Sequence, residues 1–368
     1  MLPYAETLMP KWLDTLKKKA KKVSNRLRNC LRNLNDPNPL EPHSLQNISS
    51  MSFTSHQNRR ALSVTLLALV LSIATVTAQA ASEPRVALIM KSLANEFFQT
   101  MEKGARDYQA QHSSEFALIS NGIKNETDVS AQINLVDQMI AQHVDAIVIA
   151  PADSKALIPV CKKAEAAGIV VVNIDNKFDT GALEQEKVKF PFVGPNNRTG
   201  AEKVGDYLGK ELKPGDKVAI IEGIPGAFNA IQRKAGFEDA AKQYKLDVVT
   251  SQSGQWETAT ANKVAAGIIT QYPDLAAFMC SNDNMALGVV AALRAAGKEG
   301  KIKVVGFDNI SAVQQLIKEG KVLATADQHA DQLAVFGIQY ALEALATHNM
   351  PTQDKETPVD LITAAELK

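Results

Sequence analysis

The sequence predicts an α/β protein built from two lobes, each a parallel β-sheet with helices on both faces. Two observations lead to this prediction. Short apolar runs alternate with amphipathic stretches of roughly a dozen residues, which is typical of parallel strands joined by helices. The same pattern also occurs twice along the chain. A chain of 368 residues with 45% hydrophobic residues is long enough to form two domains.

An internal repeat organises the body of the chain. VALIMKSLANEFFQTMEKGARDYQAQ, from Val86, resembles VAIIEGIPGAFNAIQRKAGFEDAAKQ, from Val218, and each predicts a strand, a short loop and a helix. Residues 145–175 then match residues 274–308 as strand, loop, helix, Ala-Ala-Gly stop, second strand and closing aspartate. Glycine readily adopts the left-handed conformation that ends a helix, so the stop fits both copies.

The repeat sets the expected domain boundaries. Residues 84–195 with 329–357 should form the N-terminal lobe, and residues 196–328 with 358–368 the C-terminal lobe. The chain would then cross between the lobes three times, near Pro195, Gln328 and Pro358. In open α/β sheets, ligands bind beside the loops that follow the strands. Two such edges facing each other would enclose a cleft.

The segment before the first strand predicts export. Arg59 and Arg60 precede an apolar run, residues 61–76, and Ala78-Gln79-Ala80 forms a small-x-small cleavage site. Residues 51–80 are therefore interpreted as a signal peptide cleaved after Ala80. The apolar run is short for a membrane-spanning helix, which is the alternative interpretation.

Residues 1–50 lie upstream of that signal peptide, where an exported protein has no use for them. Their basic stretch, KWLDTLKKKAKKVSNRLRN, has some helical periodicity and could bind a membrane surface or a nucleic acid. The favoured interpretation is that translation starts at Met51 and that residues 1–50 are a mis-called extension.

Charge and cysteine content narrow the function further. The first 80 residues hold 11 of the 40 basic and 4 of the 40 acidic residues, which leaves 29 basic and 36 acidic residues in the body. A body about seven charges negative argues against a nucleic-acid partner. Cys30 precedes the body, and Cys161 and Cys280 fall in different lobes, where two free, buried thiols are expected.

The octet KSLANEFF, residues 91–98, stands at the mouth of the expected cleft. Asn95, Phe97 and Phe98 follow the first strand and would face the loop near Asn229 in the second lobe. Asp175 in the first lobe and Asp308 in the second lie at matching repeat positions, and Asn282 belongs to the same edge of the second lobe. Aromatic rings suit the apolar face of a sugar, while amides and carboxylates bind its hydroxyls. These residue types predict a neutral polyhydroxylated ligand.

The body resembles the ribose-binding protein group of bacterial periplasmic solute-binding proteins, from about Arg85 to the C-terminus. The resemblance is carried by KSLANEFF, GIPGAFNAIQRKAGF, SNDNMALG, VVGFDN and ATADQHADQ in that order and spacing. It implies two Rossmann-like lobes joined by a three-crossing hinge, the type 1 periplasmic binding protein fold. It also implies these ligand-binding residues: Lys91, Asn95, Phe97, Phe98, Asp175, Asn176, Asn229, Arg233, Trp256, Asn282, Asp308 and Gln328.

Some of these residues also have ordinary structural interpretations. Arg233 could lie on a solvated helix face, and Asp175 and Asp308 could be turn or cap residues. Asn282 is expected in the cleft, with Asp283 capping the following helix. The ribose binder has an arginine where this chain has Asn176 and another where it has Ile231. Losing two forked donors favours a different sugar or an acyclic polyol over ribose.

The resemblance implies a periplasmic monomer that delivers a sugar or sugar alcohol to the membrane subunits of an ABC importer.

No enzyme and no cofactor are expected, since the sequence has no nucleophile–base pairing, and a lone GIPG glycine turn is weak evidence for phosphate binding. The six histidines lack metal-ligand spacing, and DNKFDTGALEQE (175–186) departs from a calcium loop at Lys177. A chemotaxis or signalling sensor is an alternative. A lac-repressor-type regulator shares the fold but carries a DNA-binding helix pair where this chain has an export signal.

Overall fold

The computed structural model describes residues 83–351 and 353–367, so the predicted signal peptide and the upstream extension lie outside the described residues. The first sheet begins the body, and its strands alternate with helices. The elements are β1 (Arg85–Ser92), α1 (Glu96–Gln111), β2 (Ala117–Ile123), α2 (Val129–Ala141), β3 (Ala146–Ile149), α3 (Ile158–Ala166), β4 (Val170–Ile174), α4 (Thr180–Glu186) and β5 (Phe192–Pro195).

The second sheet repeats this alternation. Its elements are α5 (Asn197–Gly209), β6 (Lys217–Glu222), α6 (Phe228–Gln243), β7 (Asp247–Ser253), α7 (Thr258–Gln271), β8 (Ala277–Cys280), α8 (Asp283–Ala295), β9 (Lys303–Val305), α9 (Ser311–Lys318) and β10 (Ala324–Asp327). The chain ends with α10 (Ala330–Thr347), β11 (Lys355–Thr357) and β12 (Asp360–Thr363).

Both sheets have the same strand order, which confirms the predicted fold. The first runs β2-β1-β3-β4-β5-β11 and the second β7-β6-β8-β9-β10-β12. All neighbours are parallel except β10 and β12. Strand order reverses at β1/β3 and at β6/β8, where open parallel sheets bind ligands. The first sheet with the helices packed against it is called the first lobe below, and the second sheet with its helices the second lobe.

Three connections join the lobes. The chain leaves β5 for α5, which packs against α6 and the second sheet, and it returns from β10 to α10, which packs against β3 and β4. It crosses again between β11, paired with β5, and β12, paired with β10. These short connections are where a hinge between the lobes would bend.

The inner strands, such as β1, are largely apolar because helices cover both faces of each sheet. Residues 86–90, the VALIM run, are buried throughout, as parallel sheets require. The two Ala-Ala-Gly stops end their helices as predicted, whereas α1 and α6 begin earlier than predicted, at Glu96 and Phe228. Asn95 caps α1, and Gly168 and Gly297, the glycines of the two Ala-Ala-Gly stops, have φ of 84° and 64°. Only glycine adopts such angles without strain.

Two smaller findings complete the fold. Cys161 and Cys280 are free and buried, as predicted. Among the described residues, none of the helices combines the length and apolar character needed to cross a bilayer.

Candidate ligand-binding site

A cavity lies between the two lobes at the carboxyl ends of their strands. Its empty volume, counted to include space open to solvent, is about 230 Å³. Eleven of the twelve residues predicted from the sequence line it, together with one that was not predicted, Glu126. The lining residues are Lys91, Asn95, Phe97, Phe98, Glu126, Asp175, Asn229, Arg233, Trp256, Asn282, Asp308 and Gln328. Their contact with a ligand stays a prediction.

The wall from the first lobe centres on a buried ammonium group. Lys91 Nζ lies 3.1 Å from Asp175 Oδ2 and 3.8 Å from Glu126 Oε2. Burial alone lowers the pKa of Lys91, but the two carboxylates outweigh it and raise the pKa above its ordinary value. Lys91 therefore stays charged, and it holds two acceptor groups at the cavity surface.

Only one of the two carboxylate oxygens of Glu126 accepts a hydrogen bond within the part of the chain that the structure describes, while the other has the Lys91 charge 3.8 Å away. Asn95 Nδ2 donates to Glu126 Oε1 at 3.2 Å, whereas Oε2 is buried without a hydrogen-bond partner among the described residues. Burial raises the pKa of Glu126 to about 7, although Lys91 and Asn95 oppose that rise. Its free oxygen gives the cavity an acceptor that a ligand hydroxyl could satisfy.

The wall from the second lobe centres on Arg233, which is 2% exposed. Its Nη1 donates to the Ser281 carbonyl at 2.9 Å and lies 3.5 Å from Asp308 Oδ1. Its guanidinium carbon lies 3.7 Å from the Phe307 ring centroid and 5.5 Å from that of Trp256. The stacked, buried guanidinium is a planar donor group, and the alternative of a solvated helix face is wrong for this arginine.

Asp308 completes that wall. Gln328 Nε2 donates to Asp308 Oδ1 at 2.7 Å. Burial raises the pKa of Asp308 well above its ordinary value, and the nearby Arg233 charge opposes the rise. Gln328 Oε1 and Asn229 Oδ1 are, like Glu126 Oε2, buried acceptors without a hydrogen-bond partner among the described residues. Buried polar atoms normally find partners, so these three indicate a polar ligand.

Aromatic rings close the remaining sides. Phe97 and Phe98 pack edge to face, with centroids 5.0 Å apart, and both are nearly fully buried. Trp256 comes from the loop between β7 and α7 and is 3% exposed. Its loop passes so close to Gly223 that a Cβ there would lie 2.0 Å from the indole. Rings on both lobes provide the apolar surfaces that a sugar ring packs against.

The backbone is strained where it presents these groups. Asp175, Trp256 and Asp308 have φ of 61°, 63° and 127°, angles that residues other than glycine seldom adopt. Asp175 and Asp308 occupy matching positions of the repeat, and both have a positive φ, although the angles differ. Such strain clusters at functional sites, where the surrounding structure enforces it.

Four hydrogen bonds tie the lobes together around the cavity. On one side, the Glu126 N–H donates to Glu257 Oε1 at 3.4 Å and the Ser311 N–H to Glu96 Oε1 at 2.7 Å. On the other side, Ser154 Oγ accepts from the Phe228 N–H at 3.0 Å, and Asn176 Oδ1 accepts from the Asn229 N–H at 3.3 Å. The lobes are therefore closed in this structure.

Asn176 lies outside the cavity lining. Its side chain is fully buried, donates to the Pro151 carbonyl at 3.0 Å and accepts the Asn229 N–H across the lobes. Because both ends of the amide are occupied by protein, this residue joins the lobes in the structure, where the sequence predicted a ligand contact.

Two further expectations need correction. Ile231 is 53% exposed, so it does not shape the cavity, and Arg233 on the same helix supplies a guanidinium that the sequence argument had counted as lost. The argument against ribose therefore fails at this point. Asn282 lies in the cavity lining, but it is Asn282 and not Asp283 that caps α8, because its side chain accepts from the Met285 N–H.

Asp283 is instead a buried structural carboxylate. It accepts from the Ile310 N–H at 3.0 Å and from Thr325 Oγ1 at 2.8 Å, which joins α8 to α9 and β10. Burial raises the pKa of Asp283 to about 7, although these hydrogen bonds oppose the rise. It stabilises the loop that carries Asp308.

Comparison with known proteins places the chain in a family. Residues 86–349 match the periplasmic binding protein domain. The chain belongs to the periplasmic binding protein family. It is 56% identical over 298 residues to the D-ribose/D-allose-binding protein of Pseudomonas aeruginosa, with 80% of this chain and 93% of that protein covered. It is 31% identical to the D-allose-binding periplasmic protein of Escherichia coli, with 81% of this chain and 94% of that protein covered.

Solved structures agree with this assignment. An ABC transporter solute-binding protein from Burkholderia multivorans is 58% identical, with a TM-score of 0.76, and the alignment covers 77% of this chain and 100% of that one. A periplasmic solute-binding protein from Actinobacillus succinogenes with bound D-allose is 35% identical, with a TM-score of 0.73, and the alignment covers 77% of this chain and 99% of that one.

A periplasmic binding protein closes its lobes over a ligand, and the arrangement in this chain provides what such closure needs. Donors come from Lys91 and Arg233, and acceptors from the carboxylates and amides. Glu126 was missed because its loop was not compared with the matching loop after β7, which holds Trp256. The repeat places the loops after β2 and β7 in equivalent positions, so the signal was present in the sequence.

Proposed function

We propose that this chain is a periplasmic solute-binding protein that captures a monosaccharide of the ribose and allose type and delivers it to a membrane ABC importer. The observation that carries the proposal is the lining of the closed cavity, where charged donors, buried acceptors and aromatic rings converge from both lobes. A pyranose or furanose ring has hydroxyls around its edge and weakly apolar faces, so it matches both parts of that lining. The similarity to the D-ribose/D-allose-binding protein of P. aeruginosa and to the D-allose-bound protein of A. succinogenes supports the choice of sugar.

The proposal includes the ligand contacts themselves. Lys91, Asp175 and Glu126 bind hydroxyls from the first lobe, and Arg233, Asp308 and Gln328 bind them from the second. Phe97, Phe98 and Trp256 cover the faces of the ring. The protein makes and breaks no covalent bond in this role, and its work is binding and closure of the hinge.

The proposal also includes the setting in which the protein works. The signal peptide of residues 51–80 directs the body to the periplasm, where it acts as a monomer. Two rigid parts move relative to each other, residues 84–195 with 329–357 and residues 196–328 with 358–368. The importer's membrane subunits then receive the sugar from the closed protein.

Titration calorimetry with D-ribose and D-allose tests this proposal. We expect saturable binding of at least one of them, tighter than that of D-glucose, myo-inositol or an acyclic polyol such as ribitol. Asp308→Asn should weaken it about 10-fold or more, because a charge-assisted hydrogen bond contributes roughly 1.5–3 kcal/mol. Asp274→Asn, which removes an exposed carboxylate of the same lobe, is the matched control. Tighter binding of a polyol than of both aldoses would overturn the choice of ligand.

A further inference from the structure

The guanidinium of Arg233 is fixed by contacts that leave part of it unused. Nε donates to Asn197 Oδ1 at 2.7 Å, and Nη1 donates to the Ser281 carbonyl at 2.9 Å. A guanidinium has five N–H donors, and Nη2 makes no hydrogen bond with the residues that the structure describes. The protein therefore binds Nε and Nη1 of the guanidinium, while the N–H donors of Nη2 are left for the cavity.

Asn197 lies outside that cavity and is not the residue that caps its own helix, α5. It is the first residue of α5, directly after the crossing from β5, and it is 2% exposed. The preceding residue, Asn196, caps α5, because its side chain accepts from the Thr199 N–H at 3.2 Å. Asn197 Nδ2 reaches the Pro195 carbonyl at 3.4 Å, which turns its oxygen toward Arg233.

We propose that Asn197 is a positioning residue that sets the orientation of the Arg233 guanidinium toward the ligand and links it to the first crossing between the lobes. The inference rests on the proposed function of the cavity. It is independent of which hydroxyl Arg233 binds, because it concerns the face of the guanidinium that points away from the ligand.

The direction of Arg233 needs this support because its other contacts leave a choice open. Stacking on Phe307 fixes the plane of the guanidinium, and the one hydrogen bond from Nη1 to the Ser281 carbonyl still permits it to pivot about Nη1 within that plane. The hydrogen bond to Asn197 removes that rotation, since Nε–H must meet an oxygen held by the backbone at Pro195. Without it, a buried N–H of a charged group lacks an acceptor, and the hydrogen bond to the Ser281 carbonyl alone does not fix the direction in which Nη2 points.

Adjacent asparagines supply a matched pair of variants. Asn197→Ala should weaken D-allose or D-ribose binding about tenfold, in line with a lost hydrogen bond to a charged group. Asn197→Asp keeps the oxygen acceptor and should restore most of the affinity. Asn196→Ala removes the cap of α5 and should lower the melting temperature while the affinity stays unchanged.

The deciding measurement is a double-mutant cycle with Arg233→Lys. Lysine retains the charge but has no Nε–H, so Asn197→Ala should cause no further loss of affinity in that background. Tenfold losses that multiply in the double variant would overturn the inference, as would unchanged binding by Asn197→Ala. A general effect on folding would weaken binding equally in both backgrounds.

The four proteins of the cycle are the wild type, Asn197→Ala, Arg233→Lys and the double variant. They also separate this inference from the proposed function. If the wild-type chain binds neither sugar, the proposed function fails. The coupling between Asn197 and Arg233 is then measured on the melting temperatures of the sugar-free proteins. Additive shifts in that cycle would overturn the contact on which the positioning role depends, and non-additive shifts would support it.

Discussion

Glu126→Gln should remove a pH dependence from the stability of the fold. The Glu126 carboxyl is buried beside Lys91, Asp175 and Asn95, with Glu257 facing it from the start of α7. Its pKa is raised from an ordinary value of 4.5 to about 7, so the folded state binds this proton more tightly than the unfolded state does. The contribution to the free energy of unfolding is therefore fully present below about pH 4.5 and is lost as the pH rises through about 7.

The magnitude follows from the size of the shift. One pKa unit corresponds to about 1.36 kcal/mol, so the full effect is at most about 3 kcal/mol. Glutamine has nearly the same shape and no charge at any pH. Relative to the wild type, the variant should therefore gain up to about 3 kcal/mol of stability between pH 4.5 and pH 8. The difference isolates Glu126, because other buried acids such as Asp283 titrate in both proteins.

Urea unfolding followed by circular dichroism, at half-unit steps of pH, measures this difference. Glu343→Gln, which removes an exposed glutamate of α10, is the control for a change in net charge. A wild-type-minus-variant free energy that stays constant across the range would refute the reasoning. It would mean that the Lys91 ammonium, rather than burial, decides the protonation of Glu126 in the folded protein.

Three shorter predictions concern other parts of the chain. Gly223→Ala should push the Trp256 indole out of place and weaken sugar binding, measured by calorimetry, since a Cβ would lie 2.0 Å from the ring; unchanged affinity would place Trp256 outside the ligand contacts. Ile231→Ala should leave affinity unchanged because the side chain is 53% exposed, whereas Arg233→Lys on the same helix should weaken it. N-terminal sequencing of the exported protein should read Ala-Ser-Glu-Pro, and a mature chain that retains Trp12 would contradict cleavage after Ala80.

The repeat made the fold and the position of the cavity predictable from the sequence. Strands and helices alternate in a fixed order, and each copy has an aspartate after its last strand, so the sequence alone places Asp175 and Asp308 at facing edges. Parallel sheets put the carboxyl ends of their strands on one side, which is why loops far apart in the sequence meet there. The alternation of strand and helix patterns in the sequence is therefore enough to locate the cavity.

The choice between Ile231 and Arg233 was also open to physical reasoning. Once α6 begins at Phe228, Asn229 and Arg233 are four residues apart and share one face of the helix. Ile231 lies between them in sequence and points away. The sequence argument paired Ile231 with the ribose binder's arginine because it treated the residues after Phe228 as a loop. That segment is already helical. The exact start of the helix was the missing fact.

The capping residue of α8 and the role of Asn176 could not be settled by pattern alone. Asn282 and Asp283 are adjacent, and either side chain can cap a helix. The outcome depends on Thr325 and the Ile310 N–H, which come from distant parts of the chain and take Asp283 into the core. In the same way, Asn176 is recruited by the Asn229 N–H only when the lobes close.

The energetics of the closed state explain why such a protein would respond to its ligand. Four hydrogen bonds join the lobes, and each contributes about 0.5–1.5 kcal/mol. Closure also buries the free oxygens of Glu126, Asn229 and Gln328, and each unmet acceptor costs about 1–3 kcal/mol. The two sums are of similar size, so the bonds between the lobes offset the cost of burial only in part. Sugar hydroxyls that satisfy those oxygens remove the cost from the closed state alone. Because a ligand shifts an equilibrium only by its differential affinity for the two states, these three acceptors are where binding is converted into closure.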